Sequence, residues 1–178
     1  MRIVGGIYKS RVLCSFDGDK IRPTSDKVRE SLFNIIRNRV YGSNFLDLFC
    51  GTGAMGIEAL SRGAEKVVLN DFSKSSLQLA KQNLAKLKIT SGVTVSLSDA
   101  VSYLSRTTEQ FDVIFIDPPY GSGLGEKALS VCARALKDDG VAIFEDEVPF
   151  DGKIDGLKIT DTRKYGRVYL TFFEKGDD

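Results

Sequence analysis

The apolar residues of this chain follow two periods, one helical and one typical of buried strands. After Ser25 they recur every three or four positions, which predicts one helix over residues 26–40. From residue 45 onward, short continuous apolar runs alternate with helical segments. This alternation predicts strands at residues 45–49, 66–69, 93–97, 113–116 and 141–144, and helices at residues 54–61, 73–87, 100–104 and 127–136.

Strands that alternate with helices are typical of a doubly wound, Rossmann-like α/β domain with a mostly parallel sheet. The tail differs, because the apolar runs at residues 157–162 and 168–173 are separated by only five residues. Since a parallel crossover needs a dozen residues or more, we expect an antiparallel hairpin there. We also expect one domain over residues 1–178, in which residues 1–41 form a basic N-terminal extension and helix and residues 42–178 form the Rossmann-like core.

The amino-acid composition excludes several kinds of catalytic and metal-binding site. The 178 residues are 42% apolar and 28% charged, as in a globular protein, and they include no histidine. A Ser-His-Asp triad and the commonest metal ligand are therefore excluded. Cys14, Cys50 and Cys132 are too far apart in sequence for a Cys-x-x-Cys pair, so we expect no metal site. No apolar run approaches the roughly 20 residues of a membrane span, and no secretory signal begins the chain, so we expect a cytoplasmic protein.

Charge is unevenly distributed along the chain. Residues 1–41 hold nine lysines and arginines against four carboxylates, a net charge of +5, so with a total of +1 the remaining residues carry −4. A basic N-terminal arm on a nearly neutral body is typical of a protein that binds a polyanion. A solvated basic face remains the alternative.

A glycine-rich segment, Asp47-Leu48-Phe49-Cys50-Gly51-Thr52-Gly53, separates the first predicted strand of the sheet from its helix. Glycines let backbone N–H groups approach a ligand closely, so Gly51, Thr52 and Gly53 are candidate cofactor contacts. The spacing also fits a dinucleotide fingerprint, with Asp71 about 20 residues on. The buried carboxylate of Asp47 favours adenosylmethionine, because it would repel a pyrophosphate but can pair with an ammonium group.

Two further carboxylates follow predicted strands that should end at the same edge of the sheet. Asp71, followed by Phe72, is placed to accept hydrogen bonds from ribose hydroxyls, and Asp99, followed by Ala100, from the adenine amino group. Ligands of open α/β sheets bind beyond the carboxyl ends of the strands, so we expect these residues to share a crevice with Asp47. Each aspartate alone has the alternative role of a helix cap.

The most specific motif is Asp117-Pro118-Pro119-Tyr120, which ends a buried strand. The prolines stiffen the turn and leave backbone carbonyls free to face a ligand. We expect Asp117 and the Pro118 carbonyl to accept the two hydrogens of an exocyclic amine while Tyr120 stacks on the base. A rigid turn with Tyr120 packed in the core is the alternative.

Together these motifs resemble the RsmD family of 16S ribosomal RNA (guanine-N2)-methyltransferases. The resemblance rests on Arg2-Ile3-Val4-Gly5-Gly6, on the glycine loop, on the Asp-Pro-Pro-Tyr loop, on Tyr165-Gly166, and above all on Arg22-Pro23-Thr24-Ser25-Asp26-Lys27-Val28-Arg29-Glu30-Ser31-Leu32-Phe33-Asn34. The Asp-Pro-Pro-Tyr loop alone also occurs in DNA adenine-N6 and protein glutamine methyltransferases, which remain alternatives, as does an NAD-binding oxidoreductase.

The resemblance implies a class I methyltransferase sheet of strand order 3-2-1-4-5-7-6 that binds S-adenosylmethionine. It implies methyl transfer to the N2 amine of a guanine in 16S rRNA. Because a domain this small has no separate RNA-binding module, we expect the shape of the folded small-subunit particle to select the guanine, and we expect the enzyme to be a monomer. The resemblance also implies that the basic extension faces RNA, where we expect phosphate contacts from Arg2, Lys9, Arg11 and Arg22.

Overall fold

The structure, a computed structural model, describes residues 1–16 and 25–176. The strands in these residues are β1 Asn44–Asp47, β2 Lys66–Asp71, β3 Val93–Leu97, β4 Phe111–Ile116, β5 Leu136–Asp146, β6 Leu157–Tyr165 and β7 Val168–Lys175. The helices are α1 Asp26–Ile35, α2 Arg37–Val40, α3 Ala54–Ser61, α4 Lys74–Lys86, α5 Ala100–Arg106 and α6 Leu124–Cys132, followed by a 3-10 turn at Ala133–Ala135.

The described strands form one sheet of order β3-β2-β1-β4-β5-β7-β6. Strands β1 to β5 are parallel, whereas β7 pairs antiparallel with both β5 and β6. The predicted doubly wound class, the strand order and the C-terminal hairpin are therefore confirmed. The chain moves outward from β1 to β3 and then returns to β4 on the other side of β1, so the strand order reverses between β1 and β4. A ligand crevice is expected beyond the carboxyl ends of these two strands.

The core lies on both faces of the sheet because successive strand residues point in opposite directions. Phe45 and Phe115 belong to an apolar cluster with residues of α1, α3 and α4, while Leu46 and Ile114 belong to one with residues of α5 and α6. Buried on both sides, these strands consist of continuous apolar runs, and their carboxyl ends are held rigidly at one edge.

The first 13 residues dock on α3. The Val4 N–H donates to Glu58 Oε2 (2.8 Å) and the Ile7 N–H donates to the Ser61 carbonyl (2.8 Å). Ile3 and Leu13 are buried in the same apolar cluster as α3. The predicted single domain, divided into an extension of residues 1–41 and a core of residues 42–178, stays a prediction.

Two predicted helices have different bounds. The helix predicted over residues 26–40 is broken at Ile36, whose backbone angles (φ −90°, ψ 12°) lie outside the helical region, and the break turns α2 so that Arg39 Nη2 reaches Glu174 Oε1 (2.5 Å). The helix predicted over residues 127–136 instead begins at Leu124 and ends at Cys132. Leu136 belongs to β5, where it pairs with Phe111 of β4, because sheet pairing overrides the helical spacing.

The hairpin is longer than the apolar runs suggested, since Tyr165 pairs with Val168 and leaves a two-residue turn, Gly166-Arg167. Gly166 has a φ of +63°, which suits such a tight turn. None of the helices in residues 1–16 and 25–176 is both long and apolar enough to cross a membrane.

Candidate active site

The glycine loop connects β1 to α3 with two backbone conformations that favour glycine. Gly51 and Gly53 have φ angles of +52° and +78°. Gly56 has a different function, because a Cβ there would come within 2.3 Å of the Leu69 side chain on β2, so the absence of a side chain lets α3 pack closely on the sheet. The loop is therefore compact, with the backbone of Gly51 exposed to the crevice.

A cavity of about 470 Å³ occupies the predicted crevice, a size typical of small-molecule sites. It brings together most of the predicted cofactor residues and the whole of the predicted catalytic loop: Asp47, Gly51, Thr52, Asp71, Phe72, Asp117, Pro118, Pro119 and Tyr120. Gly53 is next to the lining residues Thr52 and Ala54. Among the described residues, no group of three or more His, Cys, Asp or Glu side chains is arranged to hold a metal ion, and the expected absence of a metal stays a prediction.

Asp47 ends β1 with a carboxylate that is almost completely buried in the cavity wall. Its Oδ2 accepts a hydrogen bond from the Gly56 N–H (3.0 Å). Burial raises the pKa of Asp47 to about 7 despite that hydrogen bond, and the nearby charge of Asp71 adds to the rise. A cation bound in the cavity would hold this group as a carboxylate, which is what an ammonium group provides.

Asp71 ends β2, the neighbour of β1, and both of its oxygens accept backbone hydrogen bonds. Oδ2 accepts from the Gly51 N–H (2.9 Å) and Oδ1 from the Ser73 N–H (2.8 Å). These bonds fix the carboxylate and leave its remaining lone pairs for a ligand. Phe72, 64% exposed, places an aromatic ring at the mouth of the cavity, where it can cover a planar group.

Asp99 and Ala100 lie outside the lining of this cavity. The Asp99 side chain caps α5, since its Oδ1 accepts a hydrogen bond from the Ser102 N–H (2.9 Å). The alternative role of a helix cap is therefore observed here, and the adenine contact predicted for Asp99 and Ala100 stays a prediction.

The Asp-Pro-Pro-Tyr loop follows β4 directly and faces the same cavity. Asp47, the last residue of β1, pairs with Phe115 of β4. Asp117 follows Phe115 by two residues, so it lies just beyond the end of β1. Pro118 is buried and Asp117 is half-buried, so the loop has a fixed base and a carboxylate that reaches the cavity. The register of β1 and β4 therefore brings the catalytic loop close to the cofactor residues, as predicted.

Tyr120 is 38% exposed, so it is not a core residue. Its hydroxyl donates to Oε1 of the buried Glu145 on β5 at 3.4 Å. Burial, followed by the charges of Asp117 and Glu145, raises the pKa of Tyr120 well above its ordinary value, so the phenol stays protonated. Glu145 therefore orients the ring, a role that the sequence interpretation did not assign.

Arg29 is a second residue that the sequence interpretation missed. It is fully buried in α1, lines the cavity, and donates through Nη2 to the Arg2 carbonyl (2.6 Å) and to Asp26 Oδ1 (2.7 Å). Burial lowers its pKa, while Asp26 and Glu58 act in the opposite direction. The sequence did contain a signal for this role. Arg29 precedes Leu32 by three positions and Phe33 by four, which places it on the apolar face of the helix.

Three of the predicted RNA-contacting residues, Arg2, Lys9 and Arg11, are not among the residues that line the cavity. Arg2 is exposed and pairs with Asp26 (3.0 Å). Lys9 and Arg11 are also exposed, in the loop that docks on Ser61 at the end of α3 far from the glycine loop. Arg22 lies outside the described residues. The phosphate contacts of all four stay predictions.

Comparisons with known proteins agree with this geometry. The family model "Conserved hypothetical protein 95" matches residues 1–174. The ribosomal RNA small subunit methyltransferase D of Haemophilus influenzae is 37% identical over 152 residues, which cover 83% of this chain and 79% of the relative. The Escherichia coli protein of the same name is 36% identical over 150 residues, covering 83% and 75%.

The chain belongs to the ribosomal RNA small subunit methyltransferase D family. The solved structure of yhhF from Escherichia coli superimposes with a TM-score of 0.88 at 32% identity, covering 98% of this chain and 97% of that one. Another family relative, YlbH of Bacillus subtilis, is 36% identical over 98% of this chain and 99% of its own length. The family resemblance and the Rossmann-like methyltransferase fold predicted from the sequence are thus confirmed.

Proposed function

We propose that this protein transfers a methyl group from S-adenosylmethionine to the exocyclic N2 amine of a guanine in 16S rRNA, within the small-subunit particle. The observation that carries the proposal is the shared cavity, in which the glycine loop and two carboxylates face the Asp-Pro-Pro-Tyr loop. The names of the family relatives support ribosomal RNA as the substrate in preference to DNA or protein.

The cavity fits the methyl donor in charge and shape. The buried Asp47 carboxylate complements an ammonium group, and Asp71 offers acceptors for ribose hydroxyls. At Gly51 an added Cβ would meet no protein atom within 4 Å, so the loop backbone borders open space that a ligand can fill. Two carboxylates in the wall disfavour the pyrophosphate of NAD, the rival cofactor.

The loop residues have distinct roles at the target amine. Asp117 and the Pro118 carbonyl accept its two hydrogens, so that its nitrogen lone pair points into the cavity, and Tyr120 stacks on the base. Bound adenosylmethionine would supply a methyl group on a positively charged sulfur, already activated for transfer. Asp117 then stabilises the positive charge that develops on the amine, which loses one of its two protons during or after the transfer, so Asp117 need not be a strong base.

The remaining parts of the proposal concern the surroundings of the reaction. Arg2, Lys9, Arg11 and Arg22 contact RNA phosphates, Asp99 and Ala100 bind the adenine ring, and the enzyme acts in the cytoplasm as a monomer without a metal. Each of these stays a prediction from the sequence.

The test is to incubate the protein with methyl-labelled adenosylmethionine and either 16S rRNA or small-subunit particles, and to identify the labelled nucleoside by mass spectrometry after digestion. We expect N2-methylguanosine, with particles the better substrate. Labelled N6-methyladenosine, or no label in RNA, would contradict the proposal. Calorimetry should in parallel detect binding of adenosylmethionine or its demethylated product and negligible binding of NAD, and tight NAD binding would exclude the methyl-donor site.

A further inference from the structure

A second cavity, of about 370 Å³, adjoins the first through a shared residue, Tyr120. One side is formed by Ser25, Lys27 and Val28 at the beginning of α1, and the other by residues 164–168 of the hairpin. Glu145 also lines it. None of these residues has a role in the proposed chemistry apart from the contact between Glu145 and Tyr120.

The sheet topology explains why the hairpin tip reaches the catalytic edge. Strand β7 is antiparallel to β5, and Asp146 at the end of β5 pairs with Tyr169 near the start of β7. The Gly166-Arg167 turn therefore lies beyond the carboxyl ends of the parallel strands, beside the Asp-Pro-Pro-Tyr loop. A parallel seventh strand would have placed its loop at the opposite edge.

Three exposed cations surround this second cavity: Lys27, Lys164 and Arg167. Within the described part of the chain, neither Lys27 nor Arg167 forms an ion pair. Lys164 lies 5.1 Å from the centre of the Tyr169 ring, which holds it without neutralising its charge. By contrast, Arg163, one residue before Lys164, is neutralised by Asp161 (2.6 Å).

Glu145 and Glu147 are carboxylates close to this rim. Glu145 is 2% exposed and accepts the Tyr120 hydroxyl, so it forms part of the floor. Glu147 is close enough to contribute to the raised pKa of Tyr120. The rim accordingly presents three exposed positive charges, with the buried carboxylate of Glu145 below them and the exposed Glu147 nearby, and this excess of positive charge favours an extended polyanion over a small cation.

We propose that this second cavity binds the sugar-phosphate backbone of the RNA immediately next to the target guanine, with Lys164 and Arg167 contacting phosphates. The inference rests on the proposed function, because Tyr120 stacks on the target base at the boundary between the two cavities. A strand whose base lies on Tyr120 must continue past the hairpin tip or past α1, and both carry unneutralised cations. The RNA-binding surface is thus centred on the hairpin, beyond the basic N-terminal segment that charge distribution alone identified.

The experiment compares a double variant, Lys164→Ala with Arg167→Ala, with a matched control, Lys153→Ala with Lys158→Ala. The control removes two exposed lysines from the same half of the chain, away from the second cavity. RNA affinity is measured by fluorescence anisotropy across a range of salt concentrations, without turnover, and KM and kcat are measured for particles. The logarithm of the binding constant falls linearly with the logarithm of the salt concentration, and each lost phosphate contact makes this slope shallower by roughly 0.7 to 0.9. The double variant should therefore have a slope shallower by about 1.4 to 1.8.

We expect a higher KM, a kcat within about twofold of the unmodified enzyme, and unchanged calorimetric affinity for adenosylhomocysteine. The conservative pair Lys164→Arg with Arg167→Lys should restore the slope, which separates charge from any effect on the hairpin fold. An unchanged slope in the alanine variant, or an equal loss in the control, would overturn the inference while leaving N2-methylguanosine formation by the unmodified enzyme intact. If the unmodified enzyme binds the cofactor but methylates no RNA, the proposed function fails instead.

Discussion

The two cavities that meet at Tyr120 are built in opposite ways. The larger one holds the buried carboxylates of Asp47 and Asp71, fixed by backbone N–H groups, and these two residues and the glycine loop come from one continuous stretch, residues 47–73. The smaller one has exposed lysines and arginines at its rim, and its two sides come from residues 25–28 and 164–168. A cofactor site of this kind leaves a local motif in the sequence, whereas a surface for a polyanion is created by topology.

The largest expected effect is at Asp117, in the larger cavity. Replacing Asp117 by alanine should lower the single-turnover rate of methyl transfer by about 10²-fold or more, by analogy with the loss of other preorganised polar groups in active sites. Calorimetric affinity for adenosylhomocysteine should stay within about twofold. Methyl transfer at a near-normal rate by this variant would show that Asp117 does not orient the amine.

Tyr120 gives a somewhat smaller effect that separates its ring from its hydroxyl. Since a base–aromatic stack is worth ~1–3 kcal/mol, Tyr120→Ala should slow methyl transfer by roughly 5- to 150-fold. Tyr120→Phe keeps the ring and loses only a long hydrogen bond to Glu145 (3.4 Å), so its loss should be at most a few-fold. Single-turnover rates of both variants decide this, and equal damage in the two would mean that the hydroxyl matters more than stacking.

The carboxylate of Asp47 should make the affinity for the cofactor depend on pH. Its pKa of about 7 means that the unliganded protein is partly protonated there at neutral pH, whereas pairing with an ammonium group requires the carboxylate. Cofactor affinity should therefore fall by up to about tenfold per pH unit below 7. Asp47→Asn should bind more weakly at pH 8 and lose this part of the pH dependence, as measured by calorimetry at pH 6, 7 and 8. A similar pH dependence in the variant would assign the titration to another group.

The same substitution should affect stability in the opposite direction. Because the folded-state pKa is raised from 3.8, Asp47 takes up a proton on folding between about pH 4 and 7, and its contribution to the free energy of unfolding falls as pH rises through that window. Without cofactor, Asp47→Asn should gain stability relative to the unmodified protein by about 1.4 kcal/mol per pH unit across it. Urea unfolding at matched pH values gives the difference, and a constant difference would contradict burial as the cause.

The smallest effect is expected in the N-terminal loop. Lys9→Ala with Arg11→Ala should lower the salt slope of RNA binding by less than the hairpin pair does, because both residues lie at the far end of α3 from the glycine loop. Anisotropy titrations of the two double variants at matched salt concentrations make the comparison. If the N-terminal pair lowers the salt slope more than the hairpin pair, the N-terminal extension contributes more to RNA binding than the hairpin does.

Local patterns were sufficient for much of the fold but not for the ends of its elements. The break at Ile36 accompanies a contact between Arg39 and Glu174, 135 positions away, and α6 ends before Leu136, which pairs with β4. Local propensity contains no information on such partners. For the same reason, Arg29 and Glu145 were missed at the site: what makes them part of it is burial between elements.

The sequence by itself determined the doubly wound class, the family, and the two motifs that face each other across the larger cavity, because glycine spacing, strand-end carboxylates and a proline-stiffened loop are local features. The tertiary structure alone decided that Asp99 lies outside the lining of the larger cavity, that Glu145 holds Tyr120, and that the β6–β7 turn lies at the catalytic edge. The physical reason is that hydrogen bonds and ion pairs act over a few ångströms, often between residues far apart in sequence, and the antiparallel pairing of β7 with β5 brings residues 164–168 to a cavity that Tyr120 also lines.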